Sequence, residues 1–380
     1  MNRIYLDNAA TSFPKAPGLG KALAEYIENG VVNPNRTESA LSYRAFDVSY
    51  ALREHISSLY NYPHPECIAF TRNITEALNW LIKGLLERQD HVIVSSNEHN
   101  AVMRPLRQMG IDYSIIPSSS HGFNDYSSLT SLIKPNTRAI IINAAGNVSG
   151  AIQDLETPAE YAKNHNLLFI IDSAQASPFV EIDMEKLNAS AVAFTGHKGL
   201  LGPQGIGGAI IRKELALSIA PLISGGTGSR SDSEDVPDLL PDRLNPGTDN
   251  MPGIIGLEHS LSYISKNLSS LYDNEREMTK MLIEGLYKIN GIILFGAGLE
   301  ENRTNVVSIE TEGIDEAEVS ALLLERGGIE TRVGLHCSPS SHKTLGTFPR
   351  GTLRFSPGPF TTKDEINYTL TLLKEIMKNA

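Results

Sequence analysis

The chain has 380 residues, of which 41% are hydrophobic and 20% are charged, and its net charge is −11. This length predicts two domains, the composition excludes a disordered chain, and the acidic balance argues against a general nucleic-acid-binding surface. The two cysteines, Cys67 and Cys337, are too few for a disulfide framework. No run of about 18 apolar residues predicts a membrane span. Asp7 stops the first apolar group, so no signal peptide is evident and we expect a cytoplasmic protein.

Short apolar, β-branched runs alternate with longer amphipathic stretches through the first two thirds of the chain. This alternation predicts an α/β fold with a mostly parallel sheet and helices on both of its faces. Ligands bind beyond the carboxyl ends of the strands in such sheets. The predicted strands are residues 67–70, 91–95, 113–117, 139–144, 167–172, 191–194 and 208–211, and the clearest helices are 75–88 and 157–164.

The last third of the chain predicts a smaller α+β unit. Dense glycine and proline between residues 224 and 256 predict a long surface loop. We expect a long helix from Met251 to about Ile289, with a break near Asn267. Strands at residues 305–309 and 352–355 and helices at 316–326 and 363–378 complete this unit.

Two polar turns follow neighbouring apolar runs in the middle of the chain. One run ends in Asp172, and the next is followed by Thr195, Gly196, His197 and Lys198. Such a pair is how proteins hold pyridoxal phosphate (PLP), because the lysine amine forms a Schiff base with the aldehyde and the aspartate keeps the pyridinium nitrogen protonated. Either turn alone is weak evidence, but the two together, in this order, predict PLP as the cofactor.

Three polar segments at other strand ends have an ordinary and a functional interpretation. Thr75, a predicted N-cap or first-turn residue, begins a helix that is either simply capped or a phosphate site, and Lys198 favours the phosphate site. His99 either stacks on a flat cofactor or belongs to a capping turn at Asn97, and the sequence leaves these alternatives even. Asn147, between glycines, is by itself more typical of a turn than of a ligand contact.

Two residues near the C terminus have the same ambiguity. Cys337 lies between His336 and a Ser-Pro turn, which suits an accessible thiol whose pKa the imidazole could lower, although in isolation a small buried residue is the better interpretation. Arg354 lies in a predicted strand, where a surface charge is the simpler interpretation and a bidentate grip on a substrate carboxylate is the functional one.

Taken in this order, the motifs resemble the class V aminotransferases of PLP fold type I. Within that family they resemble the cysteine desulfurase and selenocysteine lyase group. The resemblance extends over nearly the whole chain, from residue 5 to residue 366. Its most specific segments are Leu-Asp-Asn-Ala-Ala-Thr (6–11), Asp-Ser-Ala-Gln (172–175) and Thr-Gly-His-Lys (195–198).

The resemblance implies a role for each matching residue at the cofactor. Lys198 would form the Schiff base, Asp172 would pair with the ring nitrogen, and His99 would stack on the ring. Gln175 would bond the phenolic oxygen, and Asn147 would lie near that oxygen and the substrate. The residues that would hold the phosphate are Ile74 through its backbone, Thr75, Thr195 and His197.

The resemblance also implies a second subunit and a reaction. Thr248 would reach the phosphate of the partner subunit in a homodimer, Arg354 would grip the substrate carboxylate, and Cys337 would take up sulfur as a persulfide. The implied enzyme is a PLP-dependent cysteine desulfurase that makes L-alanine from L-cysteine and passes sulfur to an acceptor protein. Selenocysteine lyase action, another transaminase, lyase or epimerase reaction on a small amino acid, and PLP binding without turnover stay open. No metal, nucleic acid or membrane is expected at this site.

The implied fold is a large domain with a mostly parallel seven-stranded sheet (15–260) and a smaller α+β domain (1–14 and 261–380). The short segment between Cys337 and Arg354 resembles the group with a short, ordered cysteine loop. Two departures from the family pattern bear on the substrate more than on PLP: Leu335 stands where a histidine is frequent, and residues 32–36 replace a histidine-bearing loop.

Overall fold

The computed structural model describes residues 3–30, 40–227, 229–230 and 232–379, so the departure at residues 32–36 lies outside the described residues. In chain order, the described strands are β1 (Ile4–Tyr5), β2 (Ile68–Thr71), β3 (His91–Ser95), β4 (Asp112–Ile116), β5 (Thr137–Asn143), β6 (Leu168–Asp172), β7 (Ala191–Thr195), β8 (Gly207–Ile211), β9 (Ile292–Phe295), β10 (Val307–Thr311), β11 (Ile329–Glu330), β12 (Arg332–Gly334) and β13 (Thr352–Phe355).

The described α-helices lie between and after these strands. They are α1 (Leu19–Asn29), α2 (Ala40–Leu59), α3 (Ile74–Leu85), α4 (Asn100–Met109), α5 (Leu129–Leu132), α6 (Glu156–Asn164), α7 (Lys213–Ser218), α8 (Met251–Leu286), α9 (Glu316–Gly327), α10 (Pro339–Leu345) and α11 (Lys363–Lys378). None of these helices has the length and apolar character that a membrane span requires.

Strands β2 to β8 form one sheet in the order β2-β8-β7-β6-β5-β3-β4. The pairs among β3, β4, β5, β6 and β7 are parallel, whereas β8 is antiparallel to both of its neighbours. All strands except β8 therefore run in the same direction, and their carboxyl ends meet at one edge. This edge carries Thr71, Asn143, Asp172 and Thr195. The predicted mostly parallel seven-stranded sheet is confirmed.

The central strands are buried on both faces of this sheet. Every residue of β6 and β7 is buried. Successive side chains in a strand point to opposite faces, so uninterrupted burial means that both faces are covered. This explains why the sequence shows continuous apolar runs there rather than an alternating pattern, and why polar residues cluster only where the strands end.

A second hydrophobic core lies beside a smaller set of strands. A four-stranded antiparallel sheet has the order β12-β13-β10-β9, and β1 pairs with β11 in parallel. The N-terminal residues Ile4 and Leu6 belong to this second core, together with residues from Met278 onward, whereas the first core ends at Leu271. These two cores support the two-domain division predicted at residues 14/15 and 260/261, which stays a prediction because α8 contributes to both cores.

The long helix differs from the expectation in one respect. Helix α8 runs without interruption from Met251 to Leu286, and the predicted break near Asn267 is wrong. The Asn267 side chain donates from Nδ2 to the carbonyl oxygen of Tyr263 at 2.8 Å, so this polar residue is satisfied within the helix. The short strands β1, β11 and β12, of two or three residues each, were not predicted because they are too short to show a period.

Candidate active site

A cavity of about 290 Å³ contains most of the residues predicted to carry function. It lies at the carboxyl edge of the large sheet and is closed on one side by residues of the smaller one. The predicted residues that line it are Ile74, Thr75, His99, Asn147, Asp172, Gln175, His197, Lys198, Cys337 and Arg354. The folded chain thus brings together residues from both ends of the sequence.

Lys198 lies in the turn that follows β7. The next residue must be glycine, because a Cβ at Gly199 would clash with the carbonyl oxygen of Ser177. Burial lowers the pKa of Lys198 to about 8, although the charge of Asp172 opposes this shift. A substantial fraction of the Lys198 amine is therefore neutral near physiological pH, as a nucleophile or a base requires.

Asp172 ends β6 on the floor of the cavity. Its carboxylate is buried, and Oδ1 accepts a hydrogen bond from the Ala174 amide at 2.9 Å. Burial raises the pKa of Asp172, while the Ala174 amide and Lys198 act in the opposite direction. A buried carboxylate with one nearby lysine is suited to pair with a further cationic group inside the cavity.

Hydrogen-bond donors come from the start of α3 and from the end of β7, although Thr195 itself is not among the residues that line the cavity. Asn73, not Thr75, is the N-cap of α3, since its side chain accepts from the Glu76 amide at 3.0 Å. Thr75 lies in the first turn, whose backbone amides have no partner within the helix. Among the described residues, Thr195 Oγ1 and His197 Nδ1 are buried without any hydrogen-bond partner. These groups together fit a small multivalent oxyanion.

His99, and not Asn97, caps the helix at this turn, while its stacking on a flat cofactor stays a prediction. It is itself the N-cap of α4, because its Nδ1 accepts from the Ala101 amide at 3.0 Å, and its ring also lines the cavity. Burial, followed by the charge of Lys198, lowers the pKa of His99 to about 4. The ring is therefore neutral, and its proton is assigned to Nε2 from the Ala101 contact.

Arg354 is buried on β13 and is not a surface charge. Its Nη2 forms an ion pair with Asp7 at 2.8 Å, and its Nη1 donates to the carbonyl oxygen of Asn147 at 3.1 Å. Arg354 Nε is buried and has no partner within the described ranges. Arg354 thus lines the cavity and retains a donor without a protein partner, and recognition of a carboxylate requires such a donor.

The Cys337 side chain is exposed and lies among the cavity-lining residues. The imidazole of His336 does not serve it as expected, because this ring is buried and its Nε2 lies 3.2 Å from both oxygens of Thr352. Burial lowers the pKa of His336 to about 2, so the ring is neutral and supplies no positive charge to the thiol. The interpretation of Cys337 as a small buried residue is wrong, and so is the expected role of the imidazole.

Two amide side chains in the cavity already have protein partners. Gln175 donates from Nε2 to the carbonyl oxygen of Ala9 at 2.9 Å, and each amide nitrogen carries a second hydrogen. Asn147 donates from Nδ2 to the His336 carbonyl at 2.7 Å, and its Oδ1 accepts from the Ser338 hydroxyl at 2.8 Å. The Asn147 amide therefore faces the Cys337 turn.

Thr248 is not brought to this cavity within a single chain. It lines a separate cavity of about 400 Å³ with Phe70, Trp80 and Leu222. Its predicted contact with the phosphate of a partner subunit stays a prediction.

The comparisons with known proteins agree with the motifs. The model of the aminotransferase class-V family matches residues 4–369. The chain belongs to this family. A probable cysteine desulfurase of Methanothermobacter thermautotrophicus is 30% identical over 383 residues, which cover 99% of this chain and 95% of that protein. Cysteine desulfurase CsdA of Escherichia coli is 28% identical over 375 residues, which cover 96% of this chain and 91% of that protein.

Solved structures of class V relatives have the same fold. The apo structure of a cysteine desulfurase from Thermococcus onnurineus gives a TM-score of 0.91 at 28% identity and covers 100% of this chain and 95% of that chain. The crystal structure of CsdA from Escherichia coli gives a TM-score of 0.87 at 27% identity and covers 99% of this chain and 94% of that chain. The predicted PLP fold type I architecture is confirmed by these likenesses.

Three residues of this class V site were not predicted. Arg332 lines the cavity and is the register partner of Arg354 on the neighbouring strand. Asp7 forms the ion pair with Arg354, and Glu98 is fully buried next to His99, with its pKa raised to about 8 by burial. Asp7 and Glu98 stand inside motifs that had been recognised, and only Asp7 carried a further signal, because it directly follows an apolar run.

Proposed function

We propose that this protein is a PLP-dependent cysteine desulfurase. In the proposed reaction, L-cysteine and the Cys337 thiol give L-alanine and a persulfide on Cys337. The observation that carries the proposal is the exposed Cys337 thiol in the same cavity as Lys198, Asp172 and Arg354. The cysteine desulfurases among its relatives match this chain over nearly its whole length, which supports the same conclusion.

The cavity fits PLP by the chemistry of its donors and acceptors. Lys198 would hold the aldehyde carbon, Asp172 the ring nitrogen, Gln175 the phenolic oxygen, and His99 the face of the ring. The buried donors of Thr195 and His197 that lack protein partners, with the first turn of α3 at Ile74 and Thr75, suit the phosphate. When bound, PLP supplies an electron sink for the bonds that break at the substrate.

The protein's own residues bind the substrate and move its proton. The Arg354 guanidinium, fixed by Asp7, is the donor for the substrate carboxylate. Lys198 Nζ accepts the proton from the substrate α carbon, which its lowered pKa permits near neutral pH.

The sulfur step involves Cys337 alone among the cysteines, since Cys67 is buried in the first core. The Cys337 thiolate attacks the substrate sulfur, and a sulfur–sulfur bond forms while the bond between the substrate sulfur and its β carbon breaks. The electron pair of the broken bond stays with the amino-acid fragment, and a proton on the β carbon then completes alanine. An acceptor protein or thiol that takes the persulfide sulfur regenerates Cys337.

The assembly and location belong to the same proposal. A homodimer would place Thr248 at the phosphate of the partner subunit, and its position in a different cavity of its own chain is compatible with that role. A free thiol at Cys337 suits a reducing compartment such as the cytoplasm.

The test is alanine release from L-cysteine by Cys337→Ala, compared with Cys67→Ala, which removes the other thiol. We expect Cys337→Ala to lose desulfuration of cysteine while it still binds PLP, and Cys67→Ala to keep the activity. Unchanged alanine release by Cys337→Ala would refute the persulfide route. L-selenocysteine should be assayed in parallel, because Leu335 departs from the family pattern beside Cys337 and selenium leaves without help from a thiol more readily than sulfur does.

A further inference from the structure

Asn147 contacts both Arg354, which would bind the substrate carboxylate, and the turn that carries Cys337, which would attack the substrate sulfur. Its carbonyl oxygen accepts from Arg354 Nη1 at 3.1 Å. Its side-chain amide donates to the His336 carbonyl at 2.7 Å and accepts from the Ser338 hydroxyl at 2.8 Å. These two partners are the residues immediately before and after Cys337, so one asparagine contacts both flanks of the reactive cysteine.

The turn that carries Cys337 has an unfavourable backbone. His336 has a φ of 47° and Cys337 a φ of 61°, both in the left-handed region that residues with a side chain rarely adopt. Such a conformation persists only where surrounding contacts determine it. The Cys337 carbonyl also accepts from the Asn100 amide at 2.9 Å, so the first residue of α4 holds the turn as well.

The contacts of Asn147 are well protected from water. Ser338 is 0% exposed, and His336 and Asn147 are 5% and 7% exposed. Buried hydrogen bonds of this kind fix geometry, because a group that loses its partner cannot exchange it for water. The Cys337 side chain alone projects outward from this buried frame.

We propose that Asn147 and Ser338 form a clamp that positions the Cys337 thiol for attack on the substrate sulfur. This inference rests on the proposed function and adds a residue, Ser338, to the sulfur-transfer step. In the proposed function, Arg354 binds the substrate carboxylate. Because Asn147 contacts both Arg354 and the two residues beside Cys337, it fixes the position of the thiol relative to the guanidinium. Asn147 and Ser338 are positioning residues for this step, because they act through Cys337.

The clamp predicts an effect on sulfur transfer that is separate from binding. Without the Ser338 hydroxyl, Asn147 Oδ1 loses its donor, the amide can rotate, and its bond to the His336 carbonyl weakens. The thiol then spends less time in line with the carbon–sulfur bond, which reduces the rate of attack. The substitution leaves the Asn147 backbone carbonyl, which accepts from Arg354, in place, and Ser338 has no hydrogen bond to Lys198, Asp172 or Arg354 among the described residues, so the affinity for PLP and for the substrate carboxylate should stay unchanged.

The experiment compares Ser338→Ala with Ser340→Ala in the full-length, PLP-loaded protein. Ser340 is a suitable control because it is a half-buried serine of α10 whose bond from Thr344 uses its main-chain oxygen and survives the substitution. We expect Ser338→Ala to lower kcat for alanine release and the rate of persulfide formation on Cys337 by about tenfold, the loss of one buried hydrogen bond. KM and the visible absorption of the bound cofactor should not change, and Ser340→Ala should behave as the unmodified protein.

Other results overturn the clamp. An unchanged kcat in Ser338→Ala would contradict it, and so would a parallel loss of cofactor absorption or rise in KM, which would indicate a general structural role. Ser338→Gly makes the same deletion with a smaller residue and gives the same test if the alanine variant is not recovered folded. Cys337→Ala assayed alongside separates the two hypotheses: full activity there refutes the proposed function, whereas its loss with full activity in Ser338→Ala refutes only the clamp.

Discussion

The floor of the cavity and the turn that carries Cys337 are built in different ways. The floor consists of residues at the ends of β6 and β7, two strands that are buried along their whole length. The Cys337 turn has two left-handed residues and depends on side-chain contacts from Asn147, which is 189 positions away from His336 along the chain. The proposed PLP chemistry would thus rest on a buried sheet edge, whereas the proposed sulfur chemistry would rest on a few hydrogen bonds.

Among substitutions in the cavity floor, Lys198→Ala should have the largest effect on cofactor binding and activity. Without the amine, borohydride should trap no PLP on the protein, and alanine release should fall by about 10²–10⁴-fold or more, since both the covalent link and the base are lost. Mass spectrometry of the reduced protein and an alanine assay measure the two effects. If PLP is trapped on the variant as on the unmodified protein, Lys198 is not the lysine that forms the Schiff base.

Asp172→Asn separates cofactor binding from cofactor chemistry. The amide has nearly the shape of the carboxylate but cannot balance a protonated ring nitrogen, so we expect PLP to bind and turnover to fall by about 10²–10³-fold. Cofactor absorption and kcat are the measurements. A variant that keeps its turnover would contradict the assignment of Asp172.

Arg354→Lys tests the residue that lies between the cavity floor and the Cys337 turn, since Arg354 lines the cavity and contacts Asn147. Lysine keeps the charge but loses the planar donor set, so we expect KM for cysteine to rise by about ten- to a hundredfold. Arg350→Lys is the control, because Arg350 is exposed and pairs with Glu310 on the surface of the smaller sheet. Equal effects of the two substitutions would mean that the position of Arg354 in the cavity does not matter.

The pH dependence of cofactor capture gives the smallest expected effect. Burial lowers the pKa of Lys198 to about 8, and only the neutral amine reacts with an aldehyde. The rate at which the apoprotein takes up PLP should therefore rise with pH and level off above about 8. A midpoint near 10.5, the ordinary value for lysine, would contradict the burial of this amine.

The same contrast explains what the sequence could predict. The strands of the large sheet and the presence of Asp172 and Lys198 in one cavity follow from local patterns, because apolar runs that end in polar turns are visible in a few consecutive residues. Local patterns also mislead: Asn267 suggested a break in α8, and the adjacency of His336 and Cys337 suggested a shared function. The His336 ring turns instead towards Thr352 on β13, a contact that no short sequence window contains.

Long-range contacts account for the remaining gaps. The ion pair between Asp7 and Arg354 joins residues 347 positions apart, and the hydrogen bond between Ser338 and Asn147 joins residues 191 positions apart. Neither pair has a signature in sequence spacing, although each residue lies in a recognised motif. The sequence therefore predicted which segments form the site, while the partners within the site required the fold.

A single-turnover reaction tests the central claim most directly. PLP-loaded protein is mixed with less than one equivalent of L-cysteine, and alanine is quantified while the mass of the peptide containing Cys337 is measured without reductant. The account predicts one added sulfur atom on Cys337 for each alanine formed. Alanine released without added sulfur on Cys337, or sulfur found on Cys67 instead, would contradict it.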